Sequence, residues 1–254
     1  MARHAMNILR GAAAPLLLLA ALELYARGPG RTSDTLAPPT RAVLAFGRAV
    51  ADGSLVQATL FTLGSAAAGL AVAVVLGVLL GTWLGLSRRA GRWSFLTVEV
   101  LRPIPSVALI PLSMLVFGFG VRMEAAVVAF AAFWPMLVLA QAAARQVDPR
   151  LLEVSQALGL SAAARFTKIV LPAMVPRLFV ALRLGVAIAL VVAVTVEIAA
   201  NPHGMGYAIM NAQQSLDPPL MLAWLFWIAV VGYAVNALAL WLQRRVDRAM
   251  GVVA

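Results

Sequence analysis

Residues 153–172 read EVSQALGLSAAARFTKIVLP and stand between two long apolar runs without forming a third. Glu153, Arg165 and Lys168 interrupt the stretch, Gly159 divides it, and its apolar positions recur at helical spacing. It reads as a small amphipathic helix pair held outside the bilayer. Asp148 followed by Pro149 is a helix start, an oxygen cap ahead of proline at the first helical position. Gly159 is expected to end that helix in the left-handed conformation, with Leu160 folding back towards Val154. Ser161 then caps a second helix, which Pro172 is expected to end. Glu153, Ala157 and Leu160 fall three or four residues apart, so one face presents an acid and two small or apolar groups. Two surroundings fit: an anionic headgroup surface, which suits Arg165 and Lys168, or a cleft on a soluble partner.

Outward from there the chain is apolar almost throughout. Of 254 residues 63% are hydrophobic and 12% charged, against a charged share of about 25% in soluble domains. Six apolar spans can be read, at about 7–26, 59–86, 95–117, 124–144, 178–200 and 220–242. The first is the weakest, with Glu23 near its end. Arg3 and Arg10 ahead of it would suit a secretory signal, but no small-residue cleavage site leads into a soluble domain, so it reads as a retained anchor. The expectation is an all-α membrane protein forming one domain over 1–254. Segment 27–56, with Pro29, Pro38 and Pro39, reads as an external linker, and no internal repeat divides the chain.

The cations set the orientation. With the N-terminus in the cytoplasm, thirteen of the 20 Lys and Arg residues fall inside: Arg3, Arg10, Arg88, Arg89, Arg92, Arg145, Arg150, Arg165, Lys168, Arg177, Arg244, Arg245 and Arg248. Arg27, Arg31, Arg41, Arg48 and Arg122 fall outside, and Arg102 and Arg183 lie within or at the edge of spans. The positive-inside rule therefore puts both termini and residues 148–172 in the cytoplasm. The net charge of +10 belongs to those loops and is no sign of nucleic acid. Cysteine is absent, which removes disulfides, thiolate nucleophiles and thiolate metal sites. His4 and His203 are the two histidines; neither lies near a carboxylate, so no metal site is expected. No Ser-His or Asp/Glu cluster marks the chain as an enzyme. An ATP-cradling loop needs Gly-x4-Gly-Lys-Ser/Thr, and the one lysine, Lys168, precedes Ile169. ATP-driven work would need another polypeptide.

Inside the spans, Gly77, Gly81 and Gly85 repeat every four residues, a spacing that lets helices approach closely in lipid. The seam is either internal to one chain or between two copies. The third span carries RPIPSVALIP over residues 102–111, and its prolines rule out one regular helix. Such backbone survives at membrane depth only inside protein or beside water. It is either a pathway-lining break, with Pro103, Pro105, Ser106, Ser113 and Met114 in the wall, or a packing kink near the cytoplasmic surface. Glu197 is the one carboxylate of the fifth span, roughly 20 Å along the axis from Arg183, so the two do not pair. It is either a functional acid or a solvated group at the outer interface. Residues 201–215, NPHGMGYAIMNAQQS, read as an outer turn and a short amphipathic helix.

These residues carry a resemblance. Glu153, five residues, Gly159, nine residues, then Ile169, Leu171 and Pro172 resemble the EAA loop of permease subunits of bacterial ABC importers. Two alanines usually follow the Glu; here Val154 and Ser155 stand there. With LRPIPSVALIPLSMLVFGFG (101–120), FWPMLVLAQAAARQVDPRLLEVSQALG (133–159) and EIAANPHGMGYAIMNAQQS (197–215), the chain is similar to the nitrate, sulfonate and taurine permease family from about 58 to 246.

That resemblance implies a type I importer fold with a cytoplasmic coupling helix pair between spans 4 and 5. Two permease copies would pair as a homodimer, and each would insert its helix into one of two ATPase subunits, which bind the ATP and Mg. Glu153, Ala157, Leu158, Gly159, Leu160, Ile169, Leu171 and Pro172 would form the coupling element. A periplasmic or lipid-anchored binding protein would deliver a small anionic or zwitterionic solute to this inner-membrane chain. The family also has an acid at the position of Glu197, which suggests gating or helix-end packing. The alternative, from another class, is a stand-alone ion- or proton-coupled carrier. That would need several buried ionisable groups near the midplane, and only Glu197 and Arg102 qualify.

Overall fold

The computed structural model describes residues 17, 18, 20–28 and 37–250, so most of the expected first span lies outside the described residues. Residues 20–27 are helical. The Glu23 carboxylate accepts from the backbone N–H of Thr40 at 3.0 Å and from its hydroxyl at 2.8 Å. This ties the segment to the start of α1, Pro39–Ala51. The rest is helical: α2 (Ser54–Leu86), α3 (Arg88–Trp93), α4 (Phe95–Leu101), α5 (Ile110–Phe117), α6 (Val121–Arg145), α7 (Pro149–Ala157), α8 (Ala162–Arg165), α9 (Leu171–Ala199), α10 (Gly204–Gln214) and α11 (Pro218–Ala249). No strand occurs among the described residues. Four helices are long and apolar enough to cross a membrane, five if the bent pair around residues 102–105 is one span.

The centre of the molecule is α6, flanked by α2 and α9. Met123, Val127, Val128, Ala132, Met136 and Ala140 along it are almost wholly buried. The seam between α2 and α6 is made by glycine. A Cβ on Gly69, Gly77, Gly81 or Gly85 would come within 2.6–2.8 Å of the Cβ of Val128, Met136, Ala140 or Ala144 respectively. Backbone lies on backbone there, which is how small residues bring helices together in lipid. The glycine repeat is thus used inside the chain.

The third span turns sharply. Between Phe95–Leu101 and Ser106–Phe117 the axis bends by 84°. Pro103 and Pro105 remove two donors, and Pro105, extended at ψ 117°, carries the chain out of helical conformation ahead of Ser106. Little covers this region, and in α5 only Ile110 is buried.

Two expectations need correction. Segment 27–56 is more than a linker, because it holds α1. Ala45 and Ala49 of α1 are buried, and the Phe46 ring meets Phe226 and Trp227 of α11 at 6.1 and 5.7 Å. Its flanking Pro and Gly residues masked a 13-residue amphipathic helix. Nor does Pro172 end the helix that Ser161 starts. α8 runs through a π turn, Phe166–Val170, directly into α9, and the Leu171 N–H donates to the Phe166 carbonyl five residues back. A proline ring would strike the carbonyl four residues before it in a regular helix. The widened turn absorbs that conflict, so the chain continues. The stretch 148–172 is thus one free helix, α7, followed by a short helical lead into α9.

Candidate functional site

The stretch around Glu153 forms as its capping residues dictate. The Asp148 side chain accepts from the Arg150 N–H at 2.9 Å, with Pro149 in the first turn. At the other end Gly159 is left-handed, φ 62°. The Leu160 N–H donates to the Ser155 carbonyl at 3.0 Å and the Gly159 N–H to that of Gln156 at 2.9 Å, the paired bonds of a Schellman cap. Ser161 accepts from the Ala164 N–H at 3.3 Å, starting α8. Where the family pattern has alanines, Val154 is exposed and Ser155 is buried. The Ser155 hydroxyl donates to the Leu152 carbonyl at 2.6 Å, so its polar atom is satisfied without an outside partner.

Glu153, Ala157, Leu158 and Gly159 are all exposed, and Leu158 shows 68% of its surface. Leu160, Ile169 and Leu171 are half-buried, and Pro172 is exposed. Behind this knob, Val170 and Met174 are buried against Ala140, Ala143, Ala144 and Val147, with Leu152 and Phe166 packed beside them. The knob is therefore rooted in both α6 and α9. Leu151 and Val154 of α7 are exposed as well, and a grouped apolar surface on a rooted helix is suited to receive a partner.

The third-span candidates do not gather into one site within the single chain. Pro103, Pro105 and Met114 are exposed, while Ser106 and Ser113 are half-buried. His203 stacks on Phe61, ring centroids 5.0 Å apart.

At the opposite end of the bundle from α7 lies a buried polar cluster, only part of which was legible. Glu197 is 1% exposed, so the solvated reading of this residue is overturned. Its carboxyl accepts from the Thr62 hydroxyl at 2.6 Å and from the Gly206 N–H at 2.8 Å. Thr62 in turn accepts from the Met205 N–H at 3.0 Å. Beside it is a second buried acid, Glu124, 0% exposed. Glu124 accepts from the Ser65 hydroxyl and, at 2.7 Å, from the Asn201 side-chain amide.

Two of these hydrogen bonds tie α2 to α6 and α9, and three fasten that group to Asn201, Met205 and Gly206 of the α10 hairpin. α10 can come this close because Gly204 and Gly206 lack side chains. A Cβ on Gly204 would overlap the Glu197 carboxyl, and one on Gly206 would stand 2.8 Å from the Glu197 Cβ. Arg183 turns elsewhere, its Nε donating to Asn236 at 3.4 Å. Sequence reading missed Glu124, which looked like an ordinary acid at a helix start. The signal available was Thr62 and Ser65, two small polar residues one turn apart on the glycine face of α2.

The family described as "Binding-protein-dependent transport system inner membrane component" matches residues 73–252. SsuC of Bacillus subtilis, named for aliphatic sulfonates transport, is 29% identical over 93% of this chain and 86% of its own length. The nitrate import permease NrtB of Synechococcus elongatus is 29% identical over 74% of this chain and 68% of its own. Among solved structures, an inward-facing MetNI methionine ABC transporter chain superposes with TM-score 0.65 at 19% identity. That superposition covers 77% of this chain and 95% of the other.

Proposed function

We propose a function from the premise that this chain belongs to the family of inner membrane components of binding-protein-dependent transport systems. It is a permease subunit of an ATP-driven importer and has the type I importer fold. Its partners are an ABC ATPase and a substrate-binding protein.

Beyond that, α7 is the element the ATPase grips. The supporting observation is the exposed Leu158–Gly159 tip, whose base is rooted in α6 and α9. Two copies of the chain pair, each engaging one ATPase, with both termini in the cytoplasm. The uncovered surface of α5, with Ser113 and Met114, lines the pathway between them. ATP and Mg bind the ATPases, and this chain does no chemistry of its own. The cargo is a small anion such as nitrate or a sulfonate, in keeping with the names of the relatives above.

A stand-alone carrier would want its acids at mid-span. Glu124 stands in the first turn of α6, and Glu197 two residues before the end of α9. They fit a helix-end clamp better than an ion relay.

The test is coexpression with the ATPase encoded for the same system, followed by purification through a tag on the permease. Leu158→Asp and Gly159→Val are expected to strip the ATPase while the permease elutes at an unchanged volume. Full retention of the ATPase by both variants would remove α7 from the coupling path.

A further inference from the structure

The geometry points to a binding site for one anionic phospholipid at the α3 corner, formed by Arg88, Arg92 and Arg145 over an apolar floor. This corner lies at the α7 end of the bundle. A cavity of about 840 Å³ opens between the end of α2, α3 and α4 on one side and the junction of α6 with α7 on the other. Leu84, Leu86, Phe95, Val147 and Leu152 line it, and the three arginines stand at its rim.

The guanidiniums are placed by local structure. Ser87 caps α3 by accepting from the Ala90 N–H at 3.2 Å. Arg88 and Arg92 then fall one turn apart on one face, with the Arg92 Nε donating to the Arg88 carbonyl at 3.4 Å. Gly91 lets α3 close onto the ends of α2 and α6. A Cβ there would stand 2.7 Å from the Leu84 carbonyl and 3.2 Å from an Arg145 guanidinium nitrogen, with the Gln141 amide nitrogen at 3.5 Å. Donors from two helices thus converge on one corner.

No carboxylate lines the cavity. Among the described residues the one ion pair is Arg27–Glu23, far off in the chain. Asp148, the nearest acid in sequence, is used in capping α7. The three exposed guanidiniums form a cationic cluster, and arginine forks suit phosphate oxygens.

The surroundings select a lipid over a soluble anion. Trp93 is 86% exposed, Phe95 65% and Leu96 71%. An aromatic and aliphatic skirt of this kind belongs at the level of the headgroups. The phosphate would sit among the arginines, with an acyl chain along Leu86 and Phe95. Basic pockets between spans at the membrane surface are known headgroup sites.

The test uses the full chain, with or without its ATPase, purified in mild detergent and read by native mass spectrometry. The result therefore does not depend on α7 being the coupling element. Mixed micelles carry phosphatidylglycerol or phosphatidylcholine. Phosphatidylglycerol is expected to stay bound, phosphatidylcholine to be lost, and millimolar inorganic phosphate not to displace the lipid. The triple variant Arg88→Gln, Arg92→Gln, Arg145→Gln should lower retention about tenfold or more. The same change at Arg244, Arg245 and Arg248, which removes equal charge from the end of α11, should leave it unaltered. Equal retention by the two triple variants would overturn the assignment, as would displacement by phosphate. Loss of the ATPase from the first triple variant with lipid retention unchanged would give the pocket to the ATPase instead.

Discussion

Gly204→Ala is the smallest change that should open the Glu197 end of this molecule. Gly204 has φ 92°, and a Cβ there would overlap the Glu197 carboxyl. An L-residue in left-handed backbone costs roughly 1–2 kcal/mol. The carboxyl must also move, breaking its bonds to Thr62 and to the Gly206 N–H. Neutral hydrogen bonds contribute about 0.5–1.5 kcal/mol each, so α10 should lose about 2–5 kcal/mol of docking energy. At about 1.4 kcal/mol per factor of ten, detachment of α10 becomes at least about thirtyfold more frequent. The chain contains no cysteine, so one introduced at Ala212, which is 1% exposed on α10, reports the opening cleanly. Ala212→Cys should react slowly with a polar maleimide, and much faster once Gly204→Ala is added. In a Glu197→Ala background the clash is gone, and Gly204→Ala should cost only its backbone part, about 1–2 kcal/mol. An equal acceleration in both backgrounds would refute the role given to the carboxyl.

Other changes test the remaining parts. Gly81→Leu should prevent folding of the α2–α6 seam, since a Cβ there already meets Ala140 at 2.8 Å, whereas Gly64→Ala, with open space around it, should be neutral. Size-exclusion profiles separate the two. Asn201→Asp removes the 2.7 Å donation to Glu124 and adds a third acid to the buried cluster; it should lower the melting temperature of the purified complex by an amount worth about 1–3 kcal/mol. Ser155→Ala should change stability by less than about 0.5 kcal/mol, because its one bond is local. Cysteines at Ser161 and Ser215 of intact cells should differ in reaction with an impermeant maleimide, only the second being labelled. The reverse pattern would invert the orientation.

Periodicity disclosed what is one-dimensional about this fold. The apolar runs, the four-residue glycine repeat and the caps at Asp148, Gly159 and Ser161 each act on neighbours in sequence, so their physics can be read along the chain. Pro172 misled because a proline's effect depends on the hydrogen-bond register it meets, and the π turn before it changed that register. α1 was hidden by the company it keeps, Pro38 and Gly53 at its ends. Glu124 lay beyond reach for a different reason. What makes it notable is Ser65 and Asn201 arriving from 59 residues before and 77 residues after, and no local pattern encodes a meeting of that kind.

From Arg177 to Ala199, α9 has no proline and no second irregular turn, about 35 Å of unbroken helix at 1.5 Å per residue. One tip of this rod, at Leu178, packs on the cluster at the end of α6, and the other holds Glu197. A rotation imposed at one tip would be carried along a helix of that length towards the other.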